Sequence, residues 1–320
     1  MRYLARRSVH ALLLLFGVSF FSFALLQLSP GDFFTPMDLN TQTSSDAVDA
    51  LRSEHGLNKP LLVQYGHWLQ SAMKGDLGTS FAYNSPVAPL LAVRARNTAL
   101  LTMISLILAW IIAIPFGVWS AAHHGGWTDR AGGVVTSALA TIPDLMLFLA
   151  LLLLAVRSGW FPTGGMTSER FADFSFAAKV KDLAVHLFLP CLGLALASLA
   201  PLIRHVRAAM IEVLDSPFIR AARAQGIPEH RVLLRYAFPV AANPLITLFG
   251  FSVAAMLSAS LLVEVILGWP GIGPLLLEAI LAKDVFLVIG AVMLSAIFLV
   301  IGNLVSDALL VAIDPRIRLE

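Results

Sequence analysis

Side chains able to do chemistry are few in this chain of 320 residues, and most stand in apolar surroundings. Asp144 follows Pro143 near the middle of a long hydrophobic run, where a charged side chain costs about 2.5–3.5 kcal/mol on insertion scales. Such a residue either faces a bundle interior or an aqueous path, or hydrogen-bonds the backbone groups that Pro143 frees. The residue types leave both readings open. Glu264 and Asp307 lie near the ends of other apolar runs, where snorkelling or capping accounts for them. Ser252, Ser258 and Ser260 suit helix packing. His123-His124 is a cytoplasmic loop pair with no third ligand nearby, so a metal centre is not expected. Cys191, the single cysteine, excludes an intrachain disulfide. There is no glycine-rich loop ending in Gly-Lys-Ser or Gly-Lys-Thr, no His-Glu-x-x-His, no Cys-x-x-Cys and no Gly-x-Ser-x-Gly elbow. The expectation is a chain that makes and breaks no bonds, carries no metal and needs no cofactor.

The elements that hold these residues are membrane spans. The chain is 58% hydrophobic, against about 45–50% for soluble globular chains. The excess is gathered in blocks long enough to cross a bilayer, which takes about 20 residues. Six spans are expected, over residues 9–28, 98–120, 132–156, 184–204, 241–266 and 286–310. Pro190 and Pro201 interrupt the fourth. The first follows a basic stretch, as a signal peptide would. Its apolar run is longer than the roughly 7–15 residues of a signal core, and no small-x-small cleavage site follows, so an uncleaved helix is expected. A net charge of +2 gives no reason to expect a nucleic-acid partner.

Orientation follows from Lys and Arg in the loops. With the N-terminus inside, twelve basic residues fall on the cytoplasmic side and ten outside. Five of the ten lie in loop 29–97, which exceeds the roughly 60 residues over which the rule holds, and discounting them leaves a bias that places both termini in the cytoplasm. Within that loop Thr35–Asp49 reads as irregular. Pro60–Met73 carries Leu61, Leu62, Tyr65, Trp68 and Leu69 at helical spacing and reads as an amphipathic helix. The expected organisation is a first span (1–28), an extracytoplasmic loop region (29–97), a five-span core (98–310) and a cytoplasmic tail (311–320).

A polar island from Glu212 to Pro239 interrupts the apolar blocks and holds Arg220, Arg223, Arg231 and Arg235, in a chain only 13% charged. Ser216 can cap a helix, Pro217 suits its first position, and Gly226 suits a left-handed stop. Pro228 and Glu229 then begin a second short helix running to Pro239. This ordered helix–turn–helix, held at the membrane by spans on both sides, reads as a docking surface with Phe218, Ile219 and Ala222 exposed. The bland alternative is an amphipathic helix lying on lipid.

The island resembles the signature loop of permease subunits of binding-protein-dependent ABC importers. Arg220-Ala221-Ala222, Gly226, Tyr236 and Phe238-Pro239 fall at the spacing of a Glu-Ala-Ala … Gly … Ile … Leu-Pro pattern. The Ala pair, Gly and Pro match, whereas Arg, Tyr and Phe replace Glu, Ile and Leu. The run Arg220–Gly226 is similar to the dipeptide/oligopeptide/nickel branch. Leu57-Asn58-Lys59-Pro60, Gly75–Ser80, Gly268–Gly273 and Asp314–Arg318 resemble the B-type permease of that branch, in the same order along the chain.

The resemblance implies an all-α integral membrane protein with six transmembrane helices and a cytoplasmic coupling helix in loop 206–240. It implies half of a translocation pathway in a bacterial or archaeal cytoplasmic membrane, carrying peptides or a related small solute. The implied partners are a distinct C-type permease, two ATPase subunits that hydrolyse the ATP, and an extracytoplasmic substrate-binding protein. Coupling falls to Arg220, Ala221, Ala222, Arg223, Gly226 and Pro239, with Asp144 a candidate for the path. An ion-coupled secondary transporter would want more intramembrane charge, and a membrane scaffold would lack an ATPase partner. Co-purification of an ATPase separates these classes.

Overall fold

The computed structural model describes residues 2–35, 45–54 and 58–313. Its elements are α1 (Arg2–Leu28), α2 (Ser45–Glu54), α3 (Leu61–Ala72), a two-stranded antiparallel pair β1 (Thr79–Ser80) and β2 (Ser85–Pro86), α4 (Val87–Ala122), α5 (Trp127–Thr141), α6 (Asp144–Ser158), α7 (Phe176–Leu214), α8 (Pro217–Ala224), α9 (Glu229–Arg231), α10 (Phe238–Ile266), α11 (Ile272–Leu281) and α12 (Val285–Ile313). Among the described residues five helical stretches are long and apolar enough to cross a membrane, and α5 with α6 makes a sixth if the bent pair counts as one span.

The third expected span, over 132–156, is bent. α5 and α6 meet at 93° across Ile142-Pro143. Proline fixes its own φ and pushes the preceding residue out of the α region, and Ile142 is extended at ψ 120°. Asp144 therefore opens a helix and does not lie within one. The fourth span is a single helix, α7, which runs unbroken for 39 residues through Pro190 and Pro201. Packing on neighbouring helices sustains the helix where the prolines remove hydrogen bonds. Leu189, Pro190 and Cys191 are buried, while Pro201 is exposed.

The chain divides into two compact units, 1–97 with 271–298, and 98–270 with 299–320. In the first, α3 lays Tyr65 and Trp68 against Phe23 of α1 and Ile289 of α12. The Tyr65 hydroxyl lies 2.9 Å from Ser19 Oγ, so this amphipathic helix packs on a span of its own chain. Residues 45–49, expected to be irregular, begin α2; positions 36–44 and Leu57 lie outside the described residues. Asp284, fully buried, accepts from Ser80 Oγ (2.6 Å) and from the N–H groups of Ala82 (3.0 Å) and Leu287 (3.2 Å), tying the β-pair to the start of α12.

In the second unit one apolar cluster joins α4, α6, α7, α8 and α10, with Phe148, Leu194, Met210, Ile219 and Met256 among its most buried members. Gly117 of α4 allows a close crossing, since a Cβ there would stand 2.6 Å from the Val206 side chain of α7. Ser252, Ser258 and Ser260 each bond a carbonyl of their own helix. Glu264 does not snorkel, being wholly buried near the end of α10. The Asp307 side chain and Asp314–Arg318 lie outside the described set.

Candidate functional site

The polar island folds as a helix, a turn and a second helix. Ser216 precedes α8 in extended conformation and Pro217 takes the first helical position. The Ser216 hydroxyl turns back to the Val213 carbonyl (2.5 Å) instead of capping α8, so proline supplies the start signal. At the other end Gly226 has φ +74°. Its N–H bonds the Arg223 carbonyl (2.9 Å) and the Ile227 N–H bonds the Ala222 carbonyl (3.3 Å). This pair of bonds is the Schellman closure, which needs a left-handed residue where glycine stands. A Cβ at Gly226 would meet nothing within 4 Å, so the demand for glycine is conformational and not steric.

Arg223 reaches across the turn and grips Glu229 with two bonds, Nη2–Oε1 at 2.6 Å and Nε–Oε2 at 3.2 Å. The Glu229 carboxylate holds the Arg223 guanidinium above its ordinary pKa. Both side chains are about half exposed (41% and 52%), so the pair adds little stability by itself. It does fix the angle between α8 and the helix that follows, because a two-point guanidinium–carboxylate contact is directional. Arg223 is therefore engaged within the loop, while Arg220 and Ala221 face outward.

Two expectations are corrected here. Ile219 and Ala222, expected on the exposed face, are 0% and 6% exposed. Ile219 belongs to the apolar cluster that includes Met210, Leu214, Val232 and Ala237. Short α8 thus clamps its apolar stripe to its own chain and presents the other stripe, with Phe218 (45% exposed), Arg220 and Ala221, to the outside. Pro239 does not end the second helix. The chain continues from Glu229 to Ile266 as one apolar helical stretch, with Val232–Ala237 in the wider π form just before Phe238-Pro239. Such a segment accommodates local interruptions of the α ladder and recurs at functional sites.

A second cluster, which sequence reasoning missed, lies beneath the approach to this loop. Asp129, in the first turn of α5, is 6% exposed. Its Oδ1 accepts from Arg207 Nε (2.6 Å) and Ser120 Oγ (2.6 Å), and its Oδ2 from Arg207 Nη2 (2.8 Å) and the Gly125 N–H (3.0 Å). His124 Nδ1 stands 3.0 Å from Arg207 Nη2. One signal was available: Asp129 is the sole acidic residue between Asp76 and Asp144, and it follows a Gly-Gly turn. No group of three or more His, Cys, Asp or Glu residues suited to a metal ion occurs among the described residues. Asp144 is exposed at the start of α6, far in sequence from the island, and the N-cap position before it is Pro143, whose side chain cannot cap.

The comparisons agree along the whole chain. The family described as the binding-protein-dependent transport system inner membrane component matches residues 113–319, and its N-terminal companion matches residues 1–102. The chain is 37% identical to the oligopeptide transport system permease protein AppB of Bacillus subtilis, over 98% of each chain. It is 31% identical to the oligopeptide transport system permease protein OppB of Mycobacterium bovis, over 99% of each. It is 32% identical to the glutathione transport system permease protein GsiC of Pectobacterium atrosepticum, over 92% of each. Among solved structures, an inward-facing form of the MetNI methionine ABC transporter superposes with a TM-score of 0.55 at 17% identity, covering 70% of this chain and 96% of that one, a likeness of fold. The chain belongs to the inner-membrane components of binding-protein-dependent transport systems: it is a multi-pass, all-α permease subunit of an ABC importer, and not itself the ATPase.

Proposed function

We propose that α8 is the surface on which an ATPase subunit docks, and that this permease carries peptides or a related small solute alongside a second, distinct permease chain. Loop 206–240 and both termini lie in the cytoplasm, and an external binding protein delivers the cargo. The peptide reading rests on what the relatives at 31–37% identity are named for. The orientation rests on the basic residues of the island. Asp144, exposed at a sharp break between helices, is our candidate for the path.

One observation carries the coupling reading. α8 is fixed on one side by buried Ile219 and Ala222 and by the Arg223–Glu229 grip. On the other side it offers Phe218, Arg220 and Ala221 to a partner. A surface meant only to lie on lipid needs no such fixed angle, whereas docking does. Ala221 allows close backbone approach, Arg220 supplies an anchoring charge, Gly226 sets the turn after α8, and Pro239 lies in the helix that continues beyond it.

Gly226→Val tests this. A β-branched residue in the left-handed region costs about 1–2 kcal/mol and re-aims α8 against the helix beyond. The variant is expected to insert in the membrane at wild-type level, retain less ATPase on co-purification and lose uptake; Gly226→Asn is expected to be milder. Normal uptake by Gly226→Val at matched membrane levels rules out the loop as the transmission element.

A further inference from the structure

The Asp129 cluster lies outside the docking surface, yet it is built onto the helix that leads there. Arg207 sits on α7 seven residues before Leu214, the last residue of that helix, which is about 10 Å of rigid helix. Pro217 and α8 follow directly. From the same region of α7, Arg204 Nη2 donates to the Thr136 carbonyl of α5 at 3.1 Å. Arg204 and Arg207, three apart, share a helix face and secure α5 at two levels. Ser120 brings in the end of α4, and the crossing at Gly117 and Val206 holds α4 against α7 with no room for a Cβ. The turn between α4 and α5 is thereby joined to the stem of α8.

We propose that Asp129 is a positioning residue for coupling: through Arg207 it makes α5 move with the end of α7, so that displacement of α8 reaches the break at Ile142-Pro143 and re-aims α6. The proposal rests on the coupling reading of α8. A buried carboxylate that accepts four hydrogen bonds from three elements allows little play between them. The break at 93° lets α6 swing when α5 is displaced, since two packings related by a hinge need only a few residues to change.

The test uses the complex with its ATPase subunits, in a Cys191→Ser background. A single cysteine replaces Leu145, which is 42% exposed near the start of α6. Its rate of reaction with a thiol reagent is compared without nucleotide and after trapping with ATP and vanadate. With Asp129 present the rate is expected to change on trapping, as a shift between two arrangements of α6 implies. In Asp129→Asn the change should vanish while the amount of trapped nucleotide per complex is unaltered, and Asp129→Glu should restore most of it. A merely structural role would lower the yield of complex and leave the trapping-dependent change intact in what assembles. Full retention of the change in Asp129→Asn overturns the proposal, as does its absence in the protein with Asp129. A parallel cysteine at Ala221 separates the two readings. If the ATPase subunits do not protect it, the docking surface lies elsewhere and both readings fall. If they protect it and the Asn variant behaves as wild type, only the role of Asp129 fails.

Discussion

Two aspartates open two consecutive helices, and their surroundings are opposite. Asp129 starts α5 almost fully buried, with its carboxylate held by Arg207, Ser120 and the Gly125 N–H. Asp144 starts α6 exposed, directly after the N-cap Pro143. Each gains from the positive end of a helix dipole, so the helix terminus does not distinguish them. What distinguishes them is where the preceding turn sends the chain. The Gly125-Gly126 turn folds α5 back beside α4 and against α7, where an arginine meets it. The Ile142-Pro143 break sends α6 off at 93°, and the acid at its start is left facing outward. A buried, bonded acid is a fastening. An exposed acid at a break in a membrane helix is available to whatever passes or moves.

The sharpest way to break this contrast is to remove the buried charge alone. Asp129→Leu removes a buried carboxylate and leaves Arg207, 33% exposed, without its partner, so the cost falls below the about 3–5 kcal/mol of stranding a fully buried charge. The expected outcome is a large drop in the midpoint of thermal unfolding of the detergent-solubilised subunit, followed by size-exclusion of the heated sample. The double variant Asp129→Leu with Arg207→Leu should recover much of that loss, because replacing both partners with apolar groups is often close to neutral. If the single variant is as stable as wild type, Asp129 is not a fastening.

These differences explain which features were legible in the sequence. Composition and the length of apolar blocks located the spans, because each block must match a bilayer. Pro217 and Gly226 marked the ends of α8 correctly, because those signals act locally through φ. The break in the third span was invisible to a hydropathy reading, since the apolar run continues across Ile142-Pro143. Conversely, Pro190 and Pro201 looked like interruptions, but packing by buried neighbours overrides them. Phe218, Arg220 and Ala221 are exposed as expected, but Ile219 and Ala222 are buried: they are apolar, and nothing in the sequence says whether their partner is another protein or the C-terminal part of α7. Asp129 was passed over because its value lies in Arg207, 78 residues away.

A smaller effect sharpens the fastening. The Ser120 hydroxyl donates to Asp129 Oδ1 at 2.6 Å in a buried setting. A hydrogen bond to a charged group contributes about 1.5–3 kcal/mol, and the remaining donors still satisfy the carboxylate. Ser120→Ala is expected to lower the unfolding midpoint by less than Asp129→Leu does, with the complex still assembling. In the double variant Ser120→Ala with Asp129→Leu, the serine change should add almost nothing further, since the group it serves is already gone. Additive losses would place Ser120 outside the Asp129 network.

The smallest effect on stability is expected at Asp144, and there the contrast predicts a loss of function instead. An exposed side chain whose gain is the helix dipole changes stability by no more than about 1 kcal/mol when replaced, so Asp144→Asn and Asp144→Leu should assemble with the ATPase subunits and unfold close to wild type. The alternative role, satisfying backbone groups freed by Pro143, predicts a destabilised Leu variant. If Asp144 lines the path, as we propose, removing its charge alters the polar surface that cargo or a moving helix meets at the break, and Asp144→Leu lowers uptake while Asp144→Asn, still polar, lowers it less. Uptake of radiolabelled tri-alanine, in cells lacking their own peptide importers and at matched membrane levels, measures this. Full activity in Asp144→Leu with normal stability removes the residue from the path, and leaves the turn at Asp129 as the sole functional acid of this helix pair.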